Sequence, residues 1–121
     1  MADVTKITSA SLIAASSVEG TDVYNSGGDK LGTIDDIMID KMSGKAIYAI
    51  MSFGGFLGIG EKYHPLPWSA LSYDQDKPGY VVDVDRKTLE NAPSYDMDED
   101  FLWTPEYGRR VDKYYNAPTY W

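Results

Sequence analysis

At 121 residues the chain has the length of a single domain, enough to bury roughly two-thirds of the surface that its unfolded form exposes. Eleven Lys and Arg against nineteen Asp and Glu give a net charge of −8, which repels phosphate backbones and anionic head groups and argues against DNA binding. With no cysteine, disulfides, thiolate metal sites and cysteine catalysis are excluded, and no apolar run is long enough to cross a bilayer as a helix.

Residues 1–16 are small and polar, and the apolar centre Leu12-Ile13-Ala14-Ala15 is too short for a secretory signal. They read as a weakly ordered arm or a first edge strand, and the chain is expected to be cytoplasmic. Ordered structure is expected from Val18 to Tyr24, followed by a turn at Asn25-Ser26-Gly27-Gly28-Asp29-Lys30. Gly27 and Gly28 lack the spacing and the following helix of a phosphate-binding loop.

Residues 31–55 carry the strongest pattern. Ile34, Ile37 and Ile39 on one side, and Ile47, Ala49, Met51 and Phe53 on the other, supply the period-2 apolar positions of two strands. Lys41-Met42-Ser43-Gly44 between them has turn chemistry, so the stretch reads as a β-hairpin. The odd spacing from Ile34 to Ile37 predicts a β-bulge near Asp35-Asp36 that bends the strand around a corner. Ala46, Tyr48 and Ile50 are apolar on the opposite face, so the second strand should be covered on both sides.

The glycine-rich loop 54–60 follows. Its spacing is not that of a dinucleotide fingerprint, and Pro65 and Pro67 preclude the helix such a site needs. Its Phe56, Leu57 and Ile59 should fold back as a lid or face a partner. Residues 62–68 read as a strand near a sheet edge, because Pro65 and Pro67 cannot donate to a ladder. A short strand at 70–73, a turn at 74–79 and a strand at 80–84 complete the β pattern, and the barrel is expected to close there. Asp85 should cap a helical turn, 86–91, ended by Ala92-Pro93.

The last stretch, 95–121, holds eight of the sixteen aromatic residues, too dense a set for a disordered tail. Thr104-Pro105-Glu106 has the N-cap, first-turn proline and acid of a helix start. Tyr107, Val111 and Tyr114 then share one face, although Gly108 weakens the helix. The segment is expected to wrap back on the barrel or on a second copy.

The pattern from Val18 to Tyr73 resembles the PRC-barrel family. The resemblance lies in Gly20-Thr21-Asp22-Val23-Tyr24, Gly28-Asp29-Lys30-Leu31-Gly32-Thr33-Ile34, Asp36-Ile37-Met38-Ile39-Asp40, Gly44-Lys45-Ala46-Ile47-Tyr48-Ala49-Ile50, and residues 62–71 around Pro67-Trp68. The family is similar to the cytoplasmic domain of the photosynthetic reaction-centre H subunit and to the C-terminal domain of the ribosome-maturation factor RimM. The chain resembles the short free-standing bacterial members, without the membrane helix of the first or the extra domain of the second. The resemblance implies an all-β fold, a small barrel of about six strands with a short helical, aromatic-rich C-terminal extension. The expected divisions are an arm over 1–16, the barrel over 17–92 and the extension over 93–121. It further implies an interaction module with no family-wide catalytic residues to transfer.

Candidate chemistry is sparse. His64 is the only histidine and has no second ligand or relay partner, so its role reads as structural or surface. Asp96-Met97-Asp98-Glu99-Asp100 opens like a calcium loop, but Phe101 stands where glycine is needed and Tyr107 where a bidentate glutamate is needed; it reads as a solvated acidic turn. Asp35, Asp36 and Asp40 read as acceptors for backbone amides or as surface carboxylates. Ser16 and Ser17 have no base in a nucleophile arrangement, and base stacking by the aromatics would need a basic groove. The chain is therefore expected to be no enzyme, with no catalytic residue, metal or cofactor. The expected role is a self-associating, homodimeric protein-interaction module whose surface draws on Phe56, Leu57, Ile59, Trp103, Tyr107, Tyr114 and Trp121. Two alternatives are a ribosome or RNA-maturation accessory and a small-ligand or metal-binding barrel.

Overall fold

Apolar residues that alternate on both sides of one tight turn make the hairpin the middle of the sheet. In chain order, the computed structural model holds α1 (Ala15–Val18), strands β1 (Asp22–Tyr24), β2 (Lys30–Ile39), β3 (Ala46–Phe53) and β4 (Lys62–Pro67), and a 3₁₀ turn at Trp68–Ala70. Strands β5 (Leu71–Asp74) and β6 (Gly79–Val82), helix α2 (Arg86–Glu90), the short strand β7 (Tyr95–Asp96) and helix α3 (Pro105–Tyr114) follow. The structure describes residues 11–53, 62–74, 76, 79–96 and 101–121.

The hairpin forms as its pattern dictates. In its turn, Gly44 takes φ +77, its N–H donates to the Asp40 carbonyl, and Asp40 Oδ2 accepts from the Ser43 N–H at 2.7 Å. Between β2 and β3 the register steps from Ile34↔Met51 to Asp36↔Ile50, which is the bulge that the Ile34 to Ile37 spacing requires. The extra residue keeps both Ile34 and Ile37 on the inner face.

Strand β3 is covered on both sides, and Tyr48 through Phe53 are all buried. Ala49, Met51 and Phe53 enter a first core with Val23, Leu31, Ile34, Leu66, Tyr80, Val82 and Leu89. Tyr48 and Ile50 point the other way, into a second core with Tyr107 and Val111 of α3. Leu89 reaches the first core from α2, whose N-cap Asp85 accepts from the Thr88 N–H at 2.7 Å.

The strands form one seven-stranded sheet in the order β5-β6-β1-β2-β3-β4-β7, with β1 and β6 parallel. The sheet is mostly antiparallel and barrel-like in its inner core, but it does not close at Tyr80; β5 and β7 are its edges. The physical reason lies in β4. Strand β7 pairs only with Lys62 and Tyr63, and beyond them Pro65 and Pro67 lack the N–H groups that a closing strand would need. Among the described residues no helix is long and apolar enough to cross a membrane.

Candidate functional site

Helix α3 lies across the outer face of β3 and β4, and its ends explain how it got there. Thr104 caps it by accepting from the Tyr107 N–H at 3.2 Å, Pro105 fills the first position and Glu106 the first turn. At the other end Asn116 takes the left-handed conformation, φ 54; its N–H donates to the Lys113 carbonyl and the Ala117 N–H to the Asp112 carbonyl at 2.8 Å. This pair of bonds is a Schellman turn, and Pro118 follows where the helix cannot continue. The turn sends residues 117–121 back along the helix they have just left.

The returning segment meets a seat built from Tyr48, Gly108 and Asp112. The Tyr48 hydroxyl donates to Asp112 Oδ1 at 2.8 Å and accepts from the Trp121 indole Nε1 at 2.9 Å. Asp112 Oδ2 accepts from the Tyr120 N–H at 3.0 Å, so both carboxylate oxygens are used although the residue is only 3% exposed. Gly108 lies under the indole, and a Cβ there would collide with Nε1, Cε2 and Cδ1 of Trp121. The glycine that weakens the helix in sequence thus makes room for the ring. Burial, reinforced by Asp112, pushes the Tyr48 phenol well above its ordinary pKa. The Tyr120 hydroxyl in turn donates to Asp40 Oδ1, and this bond, followed by the Ser43 amide, holds the Asp40 carboxyl low.

Around the seat the aromatic residues pack on one another. Trp103 lies 4.9 Å from Tyr48 and 5.2 Å from Tyr107, and Phe101 stacks on Tyr95 at 4.2 Å. Of the residues expected to form an interaction surface, Tyr107 is buried in the second core and Trp103 half-buried beside it. Tyr114 lies on the exposed side with its hydroxyl donating to the Thr88 carbonyl, and Trp121 keeps 40% of its surface exposed. Phe56, Leu57 and Ile59 lie outside the described residues.

Two surfaces border this assembly. A groove of 270 Å³ runs between the hairpin and the returning segment, lined by Met38, Ile39, Ile47 and Tyr48 on one side and Tyr120 and Trp121 on the other, with Asp40 and Lys41 at its rim. On the outer side of α3, Arg109, Arg110 and Lys113 form a basic ridge with no ion pair among the described residues; Arg110 rests over the Tyr107 ring at 5.6 Å.

The remaining candidates take structural places. His64 is 3% exposed and edge-on to Phe53 at 5.2 Å; burial, with the Lys62 charge, lowers its pKa to about 4. Its ring is thus neutral at pH 7. Asp36 accepts from the Ile37 N–H, Asp35 from the Ser52 hydroxyl and Asp40 from the Ser43 N–H. Asp96 pairs loosely with Lys62 at 3.9 Å, and residues 97–100 of the acidic turn lie outside the described residues. Among the described residues no three His, Asp or Glu gather closely enough to hold a metal ion.

Tyr48, Gly108 and Asp112 were not singled out as site residues from sequence. The available signal was a glycine and an aspartate four residues apart on the same helical face as Tyr107 and Val111, where an apolar stripe would be expected. A family model, that of the PRC-barrel domain, matches residues 11–89, a span that takes in the sheet through β6 and most of α2. No curated protein matches the chain.

Proposed function

Because the chain belongs to the PRC-barrel domain family, we propose that it serves as a non-enzymatic protein-interaction module that self-associates as a homodimer in the cytoplasm. The observation that carries this reading is the apolar surface at the end of the β2–β3 hairpin. Ile39 is 51% exposed and Met42, in the adjoining turn, 94%. Ile39 lines the groove with Met38, Ile47 and Trp121, and Asp40, Lys41 and Lys45 flank the two residues with charge. An apolar patch with a polar rim suits contact with another protein, and a homodimer needs only one patch that complements itself.

The rival reading, an RNA-maturation accessory, draws support from the ridge of Arg109, Arg110 and Lys113. Three cations on one helix are few against a net charge of −8, so the protein-binding reading is preferred. Sedimentation equilibrium of the native chain and of Ile39→Asp/Met42→Asp tests it. The native chain should show a concentration-dependent dimer and the charged variant a monomer. A native chain that stays monomeric at millimolar concentration would end the homodimer reading.

A further inference from the structure

We propose that the seat formed by Tyr48, Gly108 and Asp112 is a binding site for a Tyr-Trp segment, filled here by residues 120–121 of the same chain and open to the same segment of a second copy. The inference deepens the self-association reading, on which it rests, by naming the segment that passes between copies.

The seat has the properties of a built site. Tyr48 and Asp112 are 2% and 3% exposed, and each has a hydrogen-bonding position that only the segment fills: the Tyr48 oxygen for the indole Nε1, and Asp112 Oδ2 for the Tyr120 N–H. Emptying the seat would hand both acceptors to water and expose the apolar surface that the indole covers, so refilling it regains two direct hydrogen bonds and the burial of the ring. Gly108 leaves the space that the flat ring occupies, which a Cβ at position 108 would fill. The occupant is detachable: among the described residues, no backbone–backbone hydrogen bond ties residues 118–121 to the rest of the fold, and Tyr120 and Trp121 stay 43% and 40% exposed. The hinge is Asn116. Its φ of 54 lies in the left-handed region that asparagine adopts more readily than other non-glycine residues, and extending this one residue redirects the segment away from the helix. The native cis arrangement wins because the tether keeps the segment at high effective concentration.

Two measurements on the full chain test this. The Tyr120→Ala/Trp121→Ala chain vacates the seat; titrated with the fluorescein-labelled peptide Asn-Ala-Pro-Thr-Tyr-Trp it should bind saturably, and adding Gly108→Ala should weaken binding about tenfold or more. Asn116→Pro cannot keep the left-handed turn or its N–H bond to Lys113. Placed in the Ile39→Asp/Met42→Asp background, which removes the hairpin contact, that chain should sediment as a dimer and return to monomer when Trp121→Ala is added. No saturable binding by a variant with native circular dichroism, or binding that Gly108→Ala leaves unchanged, overturns the site. A monomeric Asn116→Pro chain overturns the exchange. So does a dimer in that background that survives Trp121→Ala; a native dimer beside either result leaves self-association through the hairpin patch standing. If instead the native chain is monomeric while Asn116→Pro dimerises through Trp121, the seat is supported and the hairpin patch is not.

Discussion

Gly108→Ala is a substitution whose sign should depend on a residue thirteen positions away. Inside a helix, Ala is favoured over Gly by about 1 kcal/mol. Here the new Cβ would collide with the Trp121 indole, which cannot slide away without breaking its bond to Tyr48. That hydrogen bond is worth ~1 kcal/mol. Trp121 is 40% exposed, so about 120 Å² of a side chain of ~200 Å² is buried, worth ~3 kcal/mol at ~25 cal/mol per Å². Ordering Tyr120 and Trp121 offsets roughly 2–3 kcal/mol of this, which leaves the seated ring contributing about 1–2 kcal/mol. In the native chain Gly108→Ala should therefore change stability by between about zero and 1 kcal/mol of loss, the helical gain being spent on evicting the ring. In a Trp121→Ala chain the same substitution should stabilise by about 1 kcal/mol. Urea unfolding of the four chains reads the coupling directly as a double-mutant cycle, expected at about 1–2 kcal/mol. An equal gain in both backgrounds would refute the seating of the indole on Gly108.

Three further outcomes are expected. His64 titrates near pH 4 when folded against 6.5 when unfolded, so the unfolded chain alone binds its proton between those values. Its contribution is full above pH 6.5, falls as pH drops towards 4 and is flat below; linkage puts the loss between pH 7 and 5 at up to about 2 kcal/mol. A His64→Phe chain should lack that loss, and parallel stability profiles for the two chains would show that burial does not hold the ring neutral. Thr104→Ala removes the cap of α3 and should cost about 1 kcal/mol in denaturant unfolding; an unchanged midpoint would mean that the second core positions the helix without its cap. Asn116→Ala places a Cβ-bearing residue with no αL-tolerant side chain at φ 54 and should cost roughly 1 kcal/mol, whereas no cost would show that the Schellman turn is not needed to return the segment.

The sheet was largely legible in sequence because its signals are local. Period-2 apolar spacing, Gly44 in the turn, the three-residue step from Ile34 to Ile37 and the apolar residues on both faces of residues 46–53 each act over a few positions, and each appears in the structure where the pattern puts it. The caps at Asp85 and Thr104 are legible for the same reason. The candidate site was legible only in part. Aromatic density in 95–121 announced a packed segment, yet it could not distinguish Tyr107, buried against β3, from Tyr114, which stays on the outside.

What the sequence by itself determined, then, is the hairpin with its bulge, the strands after it through β6, the caps of α2 and α3 and the family; the short β7 and α1 were not legible. The open sheet and the seat belong to tertiary structure. Closure fails because β7 covers only the first residues of β4, and beyond them Pro65 and Pro67 supply no N–H donors, a fact of strand order that no single strand encodes. The roles of Tyr48, Gly108, Asp112 and Trp121 arise from residues 60 to 73 positions apart in chain, Tyr48 to Gly108 and Tyr48 to Trp121, brought together by the crossing of α3 over β3. In sequence Gly108 is only a weak helix former; with an indole lying on it, its missing Cβ becomes the space that the fold requires.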